Sequence, residues 1–554
     1  MKATVVSLNA KYVHLAPAPY ALGAGVLAFA KHSHEVTVID GVAGKDEEGL
    51  VARVLSFAPQ AVAFCAYIWN ITHIRRLLPR VRALLPDAKI ILGGPEVSYA
   101  VEKTFSDLSA CDYILSGEGE EPFARLLDAL AEGKSPEGIP GCAYRTRDGI
   151  RLSLPFVGRD TPPSPTDFGY HRALAGRIAY IESSRGCPYH CAFCLSGRCG
   201  GVRFFDTERV KNDILLLANA QTRTVKFVDR TFNADRARAR ELWQFILDGR
   251  ASGEIPPGVC FHFEIAGELL DEESLFLLEK APRGLFQMEI GLQSFNPETL
   301  RAIRRAPVSE HLLSAVRRLV AMGNIHVHID LIAGLPKEDL ASFARGVDAA
   351  VSLGAHMLKL GFLKLLHGAP MREEKESYPC TYETEPPYTV TATPVLSEGD
   401  LLTLSLCEEG CERLYNSGKY PRSLAAVLAL GVSPYLLFLE AGKRLKALKK
   451  PYTLDGEIAV VLSLFKQYLR EARARDLLLW DHLSVNPSCY VPKPLRKEDK
   501  ALARVKRAID AAYPTNAGAR RAVAILYTEN TAVFADYGEK DPVTGSYEVK
   551  TFKM

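Results

Sequence analysis

Three cysteines fall within eight residues in the segment Arg185-Gly186-Cys187-Pro188-Tyr189-His190-Cys191-Ala192-Phe193-Cys194. Their spacing is Cys-x₃-Cys-x₂-Cys. Gly186 and Pro188 keep the stretch out of a regular helix, so the thiolates can turn inward on one object. Three thiolates suit three irons of a four-iron cubane and leave the fourth iron open to a non-protein ligand. An electron-transfer cluster takes four thiolates, and a structural zinc site takes four ligands, usually as two separated pairs. His190 is the candidate to complete a zinc site, although adjacent residues rarely converge on one metal. Cys199 is the candidate fourth thiolate, and spacing does not exclude it.

The elements that must position this loop alternate between strand and helix. Strand-like runs at Ala3–Leu8, Glu35–Asp40, Ala61–Ala66, Lys89–Gly93 and Tyr113–Ser116 are separated by amphipathic stretches such as Pro19–His32 and Ile71–Leu85. Repeated βα units predict a parallel sheet with helices on both faces, here a flavodoxin-like or Rossmann-like domain over residues 1–135. Ligands of such sheets bind at the carboxyl ends of the strands. Those ends read Asn9 to His14, Gly93-Gly94-Pro95-Glu96 and Ser116-Gly117-Glu118-Gly119-Glu120, where tight turns alone would also explain the glycines. Residues 136–175 are punctuated by proline and read as a linker, with a hairpin at Cys142–Leu154. From 176 to 370 six further βα units predict a partial (β/α)6 barrel, and the cysteine loop follows its first strand, Ile178–Ser183. Residues 371–554 are mainly helical, with a small terminal β element.

The cysteine spacing, its place after the first barrel strand and the aromatic Phe193 before the last cysteine resemble the radical S-adenosylmethionine superfamily. Further motifs follow in barrel order. Phe227 to Asn233, which contains Asp229, ends the second strand. Glu289-Ile290-Gly291-Leu292-Gln293-Ser294 ends the fourth, and Asp330 to Pro336 ends the fifth. The resemblance implies a 4Fe-4S cluster on Cys187, Cys191 and Cys194, with S-adenosylmethionine chelating the open iron and cleaved there to a 5′-deoxyadenosyl radical. It places Phe193, Asp229, Glu289, Gln293, Ser294, Ile332 and Gly334 against S-adenosylmethionine. Asp229 stands where the commonest second-strand motif has glutamate.

The flavodoxin-like domain ahead of the barrel resembles the cobalamin-binding subclass. That resemblance assigns Asn9, His14, Gly93, Gly94, Pro95, Glu96, Ser116, Gly117 and Glu118 to cobalamin. The Asp-x-His-x-x-Gly signature that supplies a cobalt ligand is absent, and Tyr12-Val13-His14-Leu15-Ala16-Pro17 stands in its place. A loop histidine with a satisfied hydrogen bond is the plainer reading of His14. A cobalt ligand is the alternative. The region led by Gly361 to Gly368 resembles an uncharacterised C-terminal extension of one branch of this subclass. The implied reaction is methylation of an unactivated carbon of a small molecule or peptide. A radical cyclisation or rearrangement, and a non-catalytic redox sensor, are the alternatives. The implied partner is an electron donor such as flavodoxin or ferredoxin.

The bulk properties agree. With 68 basic and 65 acidic residues the net charge is +3, which does not signal a nucleic-acid partner. The basic stretches 443–450 and 493–507 read as solvated helix faces. No signal peptide is visible, and the apolar run Ser423–Leu439 is broken by Gly431, Ser433 and Pro434, so it reads as two buried helices and a cytoplasmic chain without a membrane partner. Among the twelve cysteines, Cys65, Cys111, Cys142, Cys260, Cys380 and Cys489 read as small buried apolar residues. Cys407 and Cys411 share a helix face, as core thiols or as a redox pair. Lys364 and His367 read as rim residues, with proton transfer as the alternative.

Overall fold

The computed structural model describes residues 1–554 except 199, 449–450, 498–499 and 515–519. The chain forms two compact units, residues 1–278 with 364–390, and residues 279–363 with 391–554.

The first unit opens with β1 (Lys2–Asn9), α1 (Ala18–Phe29), β2 (Glu35–Val42), α2 (Glu47–Ser56), β3 (Ala61–Cys65), α3 (Ile71–Leu84) and β4 (Lys89–Gly93). The short helices α4 (Pro95–Ser98) and α5 (Val101–Asp107), β5 (Tyr113–Leu115) and α6 (Glu120–Ala131) follow. Strand alternation decides what each face meets. Val6, Leu8, Val62 and Phe64 pack with Leu50, Val54, Ile74 and Leu78 of α2 and α3. Their neighbours Val5, Ala61, Ala63 and Cys65 pack with Val26, Phe123, Leu126 and Leu127 of α1 and α6. Burial on both faces is why β3 is apolar at every position.

Strands β6 (Cys142–Thr146) and β7 (Gly149–Arg151) complete a seven-stranded sheet of order β2-β1-β3-β4-β5-β6-β7, parallel as far as β5 and antiparallel beyond it. The stretch read as a linker therefore supplies two strands. Prolines at 136, 140 and 155 flank the hairpin without entering it.

The cysteine loop starts from β8 (Ala179–Ile181). It continues through an unanticipated antiparallel hairpin of β9 (Ser184–Cys187) and β10 (Gly201–Phe204), then α7 (Thr207–Ala218), β11 (Thr224–Phe227), α8 (Arg236–Ser252) and β12 (Cys260–Ile265). Strands β8, β11 and β12 are parallel neighbours. Asp206 and Asp235 accept hydrogen bonds from the Arg209 and Arg238 amides and so start α7 and α8.

The second unit carries parallel β13 (Phe286–Gln293), β14 (His326–Ala333) and β15 (Met357–Phe362), with helices Glu310–Met322 and Leu340–Val351 between them. The C-terminal region is helical as expected, ending in three antiparallel strands, Arg521–Ile525, Thr531–Asp536 and Val549–Lys553. Two helices, Pro421–Leu428 and Pro434–Lys446, occupy the interrupted apolar run, with Pro434 opening the second. Lys443, Lys446, Arg504, Lys506 and Arg507 are exposed, which is the solvated-face reading of the basic stretches. Among the described residues no helix is long and apolar enough to cross a membrane.

Candidate functional site

Gly186 makes the cysteine hairpin. Its φ is +104°, and a Cβ there would collide with the Gly201 carbonyl oxygen. Cys187 ends β9 opposite Gly201, is buried, and has its Sγ 3.4 Å from the Thr231 hydroxyl. Cys191 is buried and Cys194 half-buried, and the Cys194 amide donates to the Cys191 carbonyl at 3.1 Å. None of the three forms a disulfide. The Ala192 carbonyl between them accepts from the Met371 amide at 2.8 Å, so the segment after β15 steadies the loop. His190 is exposed, and its Nδ1 lies 2.8 Å from the Gly197 carbonyl, which can only accept. The loop backbone thus holds the ring through Nδ1. Phe193 is half-buried, and Cys199 lies outside the described residues. The donor set suits an iron–sulfur cluster with one iron left open.

Asp229 is tied to the residues that enter β9. It is buried, and its oxygens accept from the Ser183 amide at 2.9 Å, the Ser183 hydroxyl at 2.7 Å and the Ser184 hydroxyl. Burial holds its pKa above the usual carboxylate range despite these donors. Both oxygens are thereby committed to the residues that enter β9.

At the carboxyl end of the first sheet lies a cavity of about 640 Å³. Asn9 and His14 line it from the loop after β1, Gly93, Gly94 and Pro95 from the loop after β4, and Gly117 and Glu118 from the loop after β5. Gly94 and Gly117, at φ +106° and +89°, let their loops pass against the Ala66 and Phe156 carbonyls. Deeper in, Ala63, Cys65, Ile91, Leu115 and Phe123 belong both to the core between sheet, α1 and α6 and to the cavity wall. Protein cores close-pack, so an opening of this size in one fits a large ligand with an apolar part. The mouth is polar. His14 Nδ1 lies 2.6 Å from the Tyr180 hydroxyl, and burial with the charges of Lys11 and Lys226 lowers its pKa.

Two expected residues lie elsewhere. Glu96 is buried against the Tyr388 hydroxyl, which donates to it, and burial raises its pKa. Ser116 is buried with its backbone tied to Gly141 and Phe156. Neither lines the cavity.

Sequence reasoning missed several lining residues. Tyr67 and Trp69 stack with ring centroids 4.4 Å apart just past β3. An aromatic pair directly after a parallel strand was the available signal. Arg185 was also missed. Its guanidinium reaches Glu118 at 2.7 Å, Glu120 at 2.6 Å and Glu182 at 2.7 Å, which ties the loop after β5 to the strand that carries Cys187.

In the second unit Ser294 is buried, and its hydroxyl donates to Glu338 at 2.6 Å, joining the ends of β13 and β14. Glu338 is 1% exposed with a pKa raised by burial to about 7. Gln293 sits at a bulge with φ +69°, Gly334 turns at φ +89°, and Ile332 is half-buried. Glu289 and Asp330 flank His328, with its Nδ1 3.8 Å from Glu289 and its Nε2 2.9 Å from Asp330.

The remaining cysteines are mostly core thiols. Cys407 and Cys411 are buried beside the Tyr435 and Leu358 carbonyls, and burial raises both pKa values, which disfavours a reactive pair. Cys489 is an exception to the buried expectation, being exposed. Lys364 is exposed, whereas His367 is half-buried edge-on to Tyr388, and burial lowers its pKa to about 4.

Comparison with known families agrees with this geometry. The radical SAM superfamily model matches residues 181–348, and the B12 binding domain model matches residues 18–127. The chain thus carries a radical SAM domain. The chain also carries a B12 binding domain, and residues 376–521 match a family of unknown function, DUF4080. These domains bring a 4Fe-4S cluster, S-adenosylmethionine and cobalamin as its cofactors.

The chain is 26% identical over 318 residues to the 2-(S-pantetheinyl)-carbapenam-3-carboxylate methyltransferase of Streptantibioticus cattleyicolor, covering 54% of this chain and 46% of that protein. It is 27% identical over 359 residues to the cobalamin-dependent radical SAM methyltransferase TokK of Streptomyces tokunonensis, covering 59% and 51%. The match thus spans about half the length of either relative. In fold it resembles the cobalamin-dependent S-adenosylmethionine radical enzyme OxsB, with a TM-score of 0.60 and 14% identity over 93% of this chain and 82% of that one.

Proposed function

We propose that this radical SAM protein is a cobalamin-dependent methyltransferase acting on an unactivated carbon of a small molecule or peptide, with an external one-electron donor. The observation that carries the reading is the presence, in one compact unit, of three cysteines outside any disulfide on the loop after β8 and a cavity of about 640 Å³ at the carboxyl end of the flavodoxin-like sheet. Cys187, Cys191 and Cys194 would hold the cluster, and the loops after β1, β4 and β5 would hold cobalamin. Once bound, these groups supply one-electron cleavage of S-adenosylmethionine and a transferable methyl group.

The chain's own part is positioning. Arg185 fastens the cysteine strand to Glu118 and Glu120 at the cavity, and Asp229 fixes Ser183 and Ser184 at the start of that strand. The apolar wall of Ala63, Ile91, Leu115 and Phe123 excludes water from the bound cofactor. The similarity to two methyltransferases supports methyl transfer.

The test is anaerobic incubation of the protein, reconstituted with iron, sulfide and cobalamin, with S-adenosylmethionine and a strong reductant. Release of 5′-deoxyadenosine and S-adenosylhomocysteine is expected. Replacing the three cysteines by alanine abolishes the release together with the brown iron–sulfur absorbance. A triple variant that keeps a full complement of four irons, or an intact loaded protein that releases neither product, overturns the reading.

A further inference from the structure

One wall of the cavity is built by Ser164, Thr166, Arg209, Asp213 and Leu217, from the stretch before β8 and from α7. Asp213 is buried, and its Oδ1 accepts from the Ser164 hydroxyl at 2.7 Å and the Thr166 hydroxyl at 2.8 Å. Its Oδ2 lies 2.8 Å from Arg209 Nε. The carboxylate therefore pins the guanidinium in place but leaves the far edge of the fork free. Arg209 Nη1 is buried and has no hydrogen-bond partner among the described residues. Folded proteins seldom leave a buried donor of a charged group unpaired unless a ligand, ion or water completes it.

The other arginines lining the cavity are accounted for. Arg185 is held by three carboxylates, and Arg230 is 56% exposed beside Glu264. Arg209 is thus the lining cation with donors still to place. A planar guanidinium edge matches phosphate oxygens better than any amide. Cobalamin's corrin side chains are amides, and its one anionic substituent is the phosphodiester that links the ring to the lower nucleotide.

We propose that Arg209 anchors the phosphodiester of the cobalamin nucleotide, so that α7 of the barrel, and not only the flavodoxin-like sheet, holds the cofactor. The proposal rests on the cobalamin reading, and its test separates the two. The dissociation constants of aquacobalamin and of cobinamide, which lacks the nucleotide and its phosphodiester, are measured from the corrin absorbance for the full chain and for Arg209→Gln and Arg209→Lys.

The wild-type protein is expected to prefer aquacobalamin. In Arg209→Gln the aquacobalamin constant rises roughly tenfold or more while the cobinamide constant stays the same, and Arg209→Lys falls between. Unchanged cobinamide binding also shows that the variants fold. An unchanged preference in Arg209→Gln overturns the proposal and moves the guanidinium to an anionic group on the substrate. Equal loss for both corrinoids overturns it too, since Arg209 then only keeps Asp213 in place. A wild-type protein that binds neither corrinoid overturns the cobalamin reading itself.

Discussion

At the scale of single residues, buried acids do most of the positioning. Glu338 is enclosed, holds one hydrogen bond from Ser294, and has a pKa raised from the ordinary 4.5 to about 7. Its sign is the reverse of a salt-bridged carboxylate. The folded state favours the protonated acid, so the stability it contributes is full below about pH 4.5 and is lost as pH rises through about 7. The move corresponds to about 3 kcal/mol. The melting temperature of the protein should fall between pH 5 and 7.5. Glu338→Gln, which cannot ionise, should flatten that fall, and an equal fall in the variant would show that other groups cause it. Glu338 was legible only as one more polar residue after Gly334-Leu335-Pro336, because its burial depends on Ser294 arriving from another strand.

At the scale of elements, the β9–β10 hairpin shapes the cysteine loop. At Gly186 any side chain meets the Gly201 backbone and φ is in the left-handed region. Gly186→Ala should therefore splay the hairpin and cost roughly 1–3 kcal/mol. Iron bound after reconstitution should drop well below that of the unaltered protein, although all three thiols remain. Full iron content in this variant would show that the loop folds without the hairpin. The sequence pointed to Gly186 as a helix breaker but not to the hairpin, since Gly200-Gly201-Val202-Arg203-Phe204 is too short to read as a strand without its partner. In the second unit the helices Glu398–Cys411 and Pro434–Lys446 cross where Gly410 meets Gly442. Gly442→Ala would press on the Leu406 carbonyl, and a cost of about 3 kcal/mol should appear as a lowered melting temperature, with cobalamin binding kept.

At the scale of the whole molecule, the first unit joins two folds through a few charged groups. Arg185 is 21% exposed and meets three carboxylates, two of them on the flavodoxin-like domain. Removing one partner of such a network leaves the others enclosed and uncompensated, at about 3 kcal/mol. Arg185→Met should weaken cobalamin retention and reduce cluster content together, read from the corrin and iron–sulfur absorbances of one sample. Loss of one with the other intact would show that the two sites are held independently.

The cysteine triad, the βα alternation and the strand-end turns are local features. Thiolate spacing falls within eight residues, and the side-chain period of a strand or helix is set over a dozen, so both can be read along the chain. The flavodoxin-like or Rossmann-like class and the helical C-terminal region followed from the same periodicity, whereas the strand order came from the structure. Other features were decided only by the tertiary structure. Glu118 meets Arg185 across 67 residues, and Asp213 meets Ser164 across 49. Glu96 and Ser116 turned away from the cavity, while Tyr67, Trp69 and Arg209 faced it. Side-chain direction at the end of a strand is set by what packs against it, and those neighbours come from distant segments with no pattern of their own.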